Sequence, residues 1–146
     1  MAYKSHSRAV SDLKAHLVLT TKYRRKVITA PMLTRLSEIF EELCLKWGCE
    51  IVEFNGEADH VHLLFSFYPQ MQLSKFVNNL KTVSSIYIRK EFATEVQQFY
   101  RKPVFWHSAY FIASCGGVTV DVLKRYVQEQ DSPVDVEAPV GNSSPP

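Results

Sequence analysis

The chain has 146 residues, 46% of them hydrophobic and 22% charged, which suits one domain able to bury a core without disulfide staples. No apolar run is long enough to cross a membrane and Met1 to Arg8 carry no apolar signal core, so a membrane or exported protein is not expected and the reading is cytoplasmic. The formal charge of +2 understates the folded part, because the last fifteen residues hold Asp135 and Glu137 and no base, leaving 17 basic against 13 acidic residues before them.

Residues 13–21, Leu-Lys-Ala-His-Leu-Val-Leu-Thr-Thr, are rich in apolar and β-branched types and predict a strand. Lys22-Tyr23-Arg24-Arg25-Lys26 follows, four cations around one aromatic ring. Such a run can hold phosphates while the ring stacks on a base, and it reads equally as a solvated strand end or turn. From Pro31 to Trp47, Leu36, Phe40, Leu43 and Trp47 recur at helical spacing, with Pro31 near the start and Gly48 just past the end. Residues 49–55 and 60–67 predict two strands joined by a short connection, a hairpin. A second helix is expected over 73–90, with Leu73, Phe76, Val77, Leu80, Val83 and Tyr87 on one face. Its other faces carry Lys75, Asn79, Lys81 and Arg89, which with Lys22, Tyr23, Arg24 and Arg25 form the candidate nucleic-acid-binding set. Residues 91–107 read as irregular and aromatic-rich, 110–115 as a fourth strand, and 119–130 as a last helix capped by Thr119. Gly116-Gly117 before that helix fits a hinge or a tight turn. Cys44, Cys49 and Cys115 are odd in number and lack metal-knuckle spacing, so they read as small core hydrophobes. Residues 1–131 are expected to form one domain and 132–146, rich in Pro and Ser, a disordered tail.

The order β-α-β-β-α-β-α predicts an α+β protein, a ferredoxin-like split β-α-β antiparallel sheet with helices on one face and a C-terminal helix carrying Tyr126. In that arrangement the first and third strands are central. His60 and His62 then emerge on one side of the third strand while Val61 and Leu63 enter the core, so the imidazoles are expected on the face the first two helices leave uncovered. Two imidazoles so held can share a metal ion, and they can also be two polar residues on a solvated face. On the last helix Tyr126 and Gln130 are four residues apart, hence on one side and roughly 6 Å apart at the backbone. Tyr126 lies roughly 90° from the stripe of Val120, Leu123 and Val127, a position that also suits a ring packed over the core edge. If the helix crosses the histidine face, a cation held by two histidines and an amide oxygen would ready a phosphodiester for attack by the tyrosine hydroxyl. Imidazole and oxygen ligands without thiolate suit Mg²⁺ or Mn²⁺, and the link formed retains the bond energy, so no nucleotide cofactor is needed.

Four separated segments resemble the short single-tyrosine HUH transposases of bacterial and archaeal insertion sequences. They are His16-Leu-Val-Leu-Thr-Thr-Lys-Tyr-Arg-Arg, Asp59-His60-Val61-His62-Leu63-Leu64, the Asn-Leu-Lys81 and Ser-Ser patch, and Trp106 through Gln130 with Tyr-Phe-Ile-Ala-Ser-Cys-Gly-Gly-Val-Thr within it. The resemblance spans about residues 10–131. It implies a nuclease and strand transferase acting on single-stranded DNA hairpins at element ends, through a 5′-phosphotyrosine. It places the metal ligands on His60, His62 and Gln130 and the nucleophile on Tyr126, and it implies a homodimer in which the tyrosine helix of one subunit completes the site of the other. Ala58 stands where the family usually has proline, which is expected to loosen the hairpin connection, and Leu19 where an aromatic is frequent. Two other readings stay open. One is a domesticated HUH endonuclease acting on chromosomal repeats. The other is a non-catalytic nucleic-acid-binding module, which would carry paired aromatics on its central strands.

Overall fold

The computed structural model describes residues 13–115. Within them the elements are β1 (Lys14–Thr20), a single tight turn of helix at Lys22–Arg24, α1 (Ala30–Trp47), β2 (Glu50–Glu57), β3 (His60–Ser66), α2 (Leu73–Glu91), the short α3 (Ala93–Gln97) and β4 (Phe111–Cys115). The expected helix over 119–130, with Tyr126 and Gln130, and the tail over 132–146 lie outside the described residues.

The four strands form one antiparallel sheet in the order β2-β3-β1-β4, with β1 and β3 central as expected. Ala15, Leu17 and Leu19 of β1 and Val61, Leu63 and Phe65 of β3 face the helices and join Met32, Leu36 and Phe40 of α1 and Phe76, Val77 and Leu80 of α2 in one core. Phe65 meets Phe76 at 5.1 Å between ring centroids, and Phe40 meets Phe54 edge-on at 5.6 Å. Side chains of this size contribute about 1.5–3 kcal/mol each when buried, so this layer dominates stability.

Helix α1 starts where Thr29 accepts the Met32 amide on its hydroxyl and stops at Gly48, whose left-handed φ of 76° lets the last turn close on Leu45 and Cys44. Gly56 is needed for a different reason. A Cβ there would sit 2.6 Å from Leu33 Cδ1 and 2.8 Å from Val61 Cγ1, so glycine lets β2 lie close under α1.

Two local features depart from the expected pattern. Residues 91–107 contain α3, because Phe92, Val96 and Tyr100 recur every fourth position and turn one side toward the core. In β2 the pairing skips Val52: Ile51 lies opposite Phe65 and Glu53 opposite Leu64. That bulge lets Ile51 and Phe54, three positions apart, both pack on the core and sends Glu53, Asn55 and Glu57 to the opposite face. The β2–β3 connection is tied to the segment after β1: the Thr21 amide donates to Asp59 O (3.0 Å) and the Ile28 amide to Ala58 O (2.9 Å).

Candidate active site

The sheet face away from the helices is polar at its centre. In register, His62 lies opposite Val18 on one side and Asn55 on the other, and His60 opposite Thr20 and Glu57. His60 is buried and His62 half-buried, and their rings stack at 5.7 Å with 27° between planes. Both predicted imidazoles therefore share one side of β3, while Val61 and Leu63 enter the core.

Asp59 orients the first of them. Its Oδ1 lies 2.8 Å from His60 Nδ1, and its Oδ2 accepts from Arg24 Nη2 at 3.1 Å. Burial alone would raise the Asp59 carboxyl, but the hydrogen bond with His60 and the charge of Arg24 outweigh it and hold it below its ordinary value. An ionised carboxylate can only accept, so a proton on Nδ1 makes this hydrogen bond and the tautomer it selects keeps its lone pair on Nε2. Arg24 thus has a role besides the DNA contact expected of it. It reaches Asp59 from the turn after β1, where Tyr23 and Arg24 both adopt positive φ, 58° and 54°.

His16, quoted above only as part of a motif, is a third imidazole here. It lies on the same face of β1 with its ring 6.0 Å from that of His62. It is 3% exposed, and neither ring nitrogen finds a hydrogen-bond partner among the described residues. Burial, helped by His62, pushes its pKa down to about 4, so it is neutral at pH 7. Strand alternation alone would have placed His16, Val18 and Thr20 on this face, but only the pairing of β1 with β3 sets His16 beside His62.

The other candidate residues divide. Lys81 donates to Ser108 O at 2.7 Å, covers the Tyr110 ring, and is pushed down to about 8 by burial and by the nearby charge of Lys22. Arg89 donates to Ser85 Oγ (3.0 Å). Lys75 is exposed and Asn79 half-buried on the same helix. Lys22 and Arg25 flank the Tyr23 ring. Tyr126 and Gln130 lie outside the described residues. Among the described residues no three His, Cys, Asp or Glu side chains converge to hold a cation, so His60 and His62 would need a further donor. The central strands present histidines where a base-stacking sheet would present paired aromatics.

Comparison with known proteins shows the family and the fold. The model of the family described as "Transposase IS200 like" matches residues 9–130. The transposase for insertion sequence element IS200 of Salmonella typhimurium LT2 is 30% identical over 121 residues, 81% of this chain and 79% of that protein. The ISDra2 transposase TnpA of Deinococcus radiodurans is 28% identical over 123 residues, covering 83% and 86%. A crystal structure from Deinococcus radiodurans R1, described as that of a transposase, superimposes with a TM-score of 0.68 at 27% identity, over 84% of this chain and 94% of that one. A REP-associated tyrosine transposase bound to a REP hairpin shares the fold, with a TM-score of 0.52 at 9% identity over 87% of this chain and 68% of that one.

Proposed function

The chain belongs to the IS200-like transposases, and from that premise we propose that it cuts and rejoins single-stranded DNA at hairpin-marked element ends, with Tyr126 as nucleophile. The observation that carries the proposal is the Arg24–Asp59–His60 chain beside the stacked ring of His62. It is the outer support that a ligating histidine needs to keep one tautomer and one orientation.

His60 and His62 supply two nitrogen donors suited to a divalent cation, and Gln130 is the neutral oxygen donor that would complete the set. Mg²⁺ or Mn²⁺ held there would draw charge from the scissile phosphate and lower the barrier to in-line attack. The Tyr126 oxygen would bond to phosphorus as its proton leaves. The P–O3′ bond would break, leaving a 3′-hydroxyl and a 5′-phosphotyrosine, and attack by another 3′-hydroxyl would reverse the step and rejoin DNA. Basic groups at Lys22, Arg25, Lys75, Lys81 and Arg89 would hold the strand through its phosphates. A second copy supplying its tyrosine helix in trans fits the same donor requirement.

An enzyme of chromosomal repeats is the weaker reading, since identity reaches 30% with an insertion-sequence transposase and 9% with the REP-associated one. The test is incubation with Mn²⁺ or Mg²⁺ and single-stranded oligonucleotides spanning the hairpins beside its own gene, followed by a denaturing gel. A metal-dependent protein–DNA adduct that disappears in Tyr126→Phe is expected. An adduct that persists in Tyr126→Phe rules out this nucleophile.

A further inference from the structure

We propose that the concavity formed by Tyr23, Phe99 and Tyr100, with Lys22, Arg101 and Lys102 around it, is a binding site for one unpaired base of single-stranded DNA and its flanking phosphates. The inference rests on the proposed single-stranded substrate and adds to it a location and a mode of contact.

The backbone is the first observation. Tyr23 (φ 58°, ψ 17°) and Arg24 (φ 54°) are consecutive left-handed residues, a conformation that costs bulky side chains energy and persists only where the surroundings enforce it. Here they do. The Lys22 amide donates to Phe105 O (2.9 Å), the Tyr100 hydroxyl to Lys22 O (2.7 Å), the Arg24 amide to Thr21 O (2.9 Å), and the Thr21 hydroxyl to Arg25 O (2.6 Å). The bent turn aims Arg24 at Asp59, and that accounts for its shape. It does not account for an aromatic ring at position 23, where glycine or asparagine would make the same turn with less strain.

The ring is the second observation. Tyr23 is 68% exposed and packs into no core, yet Lys22 Nζ and Arg25 Cζ lie 5.4 and 5.7 Å from its centroid. Beside it opens a cavity of about 370 Å³ lined by further aromatic surface and by two more cations. That size falls in the range of small-ligand sites. An exposed aromatic ring with two cations beside it suits a nucleobase, whose π-face can stack while the adjoining phosphates meet Lys22, Arg101 and Lys102. A duplex keeps its base faces stacked inside and offers this ring none of them.

The test compares fluorescence anisotropy of labelled oligothymidylate, oligouridylate and a blunt DNA duplex of equal length with wild type, Tyr23→Gly, Tyr23→Asn and Tyr23→Phe. Both Tyr23→Gly and Tyr23→Asn keep the left-handed turn, so a melting temperature at or above wild type separates lost binding from lost folding. Affinity of these two for oligothymidylate is expected to fall about tenfold, the loss of one stacked base, while duplex affinity stays within about twofold and Tyr23→Phe binds as wild type does. Quenching of a 2-aminopurine in the strand should disappear with the ring. Lys102→Ala should lower the salt slope by about one, which Tyr23→Gly should not. Unchanged single-strand affinity in Tyr23→Gly, an equal loss on duplex, or tighter wild-type binding to oligouridylate overturns the site. If wild type meanwhile forms its metal-dependent adduct, the site alone is wrong. If wild type neither binds single strands nor forms an adduct, the proposed function falls with it.

Discussion

Asp59 Oδ1 lies 2.8 Å from His60 Nδ1, and the same carboxylate is held from behind by Arg24 Nη2 at 3.1 Å. The pair is adjacent in sequence, but the third member comes from the loop after β1. Asp59→Asn preserves shape and removes the charge that fixes the Nδ1 proton. Its amide group can donate to His60 and turn the ring's lone pair the wrong way. Mn²⁺ affinity, measured by calorimetry on the DNA-free protein, is expected to drop about 10- to 100-fold, the usual consequence of losing such a support. Unchanged affinity would mean that Asp59 serves only the turn.

His16 gives the protein a pH-dependent stability. Its folded pKa of about 4 lies below the ordinary 6.5, so the unfolded chain binds the proton more readily. The stabilisation is complete above about pH 6.5 and shrinks as pH falls toward 4, by up to about 3 kcal/mol across the window. Urea titrations in chelator at pH 7.5 and pH 5 should show this loss in wild type. His16→Phe, which cannot take up the proton, should show a smaller one. Equal slopes in the two proteins would refute it.

The alternation of Val61 and Leu63 with His60 and His62 made the histidine face legible in the sequence, and the β-α-β-β-α-β order made the central strands legible too. The Val52 bulge was not. It reverses the phase of β2 through its pairing with β3, which no local pattern reports, and it puts Asn55 beside His62. Nor was the role of Arg24 legible, since four cations in a row look alike until positive φ at Tyr23 aims one of them at Asp59. His16 passed as one residue of the expected first strand, because its neighbour is 46 positions away and only the register joins them.

Gly56→Ala should destabilise the fold by about 2 kcal/mol, the scale of an overpacked core position. Leu33 can swing its terminal methyl away, but the Val61 methyl, on a β-branched side chain of a central strand, has less freedom. Urea denaturation checks the cost, and adding Leu33→Ala should recover only part of it. Full recovery would show that Val61 yields easily.

Ser84 sits fully buried inside α2, where its hydroxyl donates to Leu80 O (2.6 Å) and accepts from Trp106 Nε1 (2.9 Å). Ser84→Ala leaves that indole N–H buried without its acceptor, a penalty of about 1–3 kcal/mol. Near-ultraviolet circular dichroism should change with it, because Trp106 anchors the segment that leads to β4. Ser84→Cys, whose thiol accepts weakly, should fall between the two. A stability loss below about 0.5 kcal/mol would mean the indole finds water or another acceptor.

Tyr23 carries strain without buried contacts to offset it, so its replacement should stabilise the protein. Asparagine tolerates the left-handed region, and Tyr23→Asn should relieve part of the 1–3 kcal/mol that such a backbone costs, less about 0.5–1 kcal/mol for the lost attraction of Lys22 and Arg25 to the exposed ring. The expected net gain is about 0.5–1 kcal/mol, a rise of roughly 1–4 °C in Tm for a chain of this length. Residues that face solvent and lower stability are retained where function needs them, so the gain should come with weaker single-strand binding. Thermal melts of the two proteins decide it: a lower Tm in Tyr23→Asn would show that the ring supports the turn.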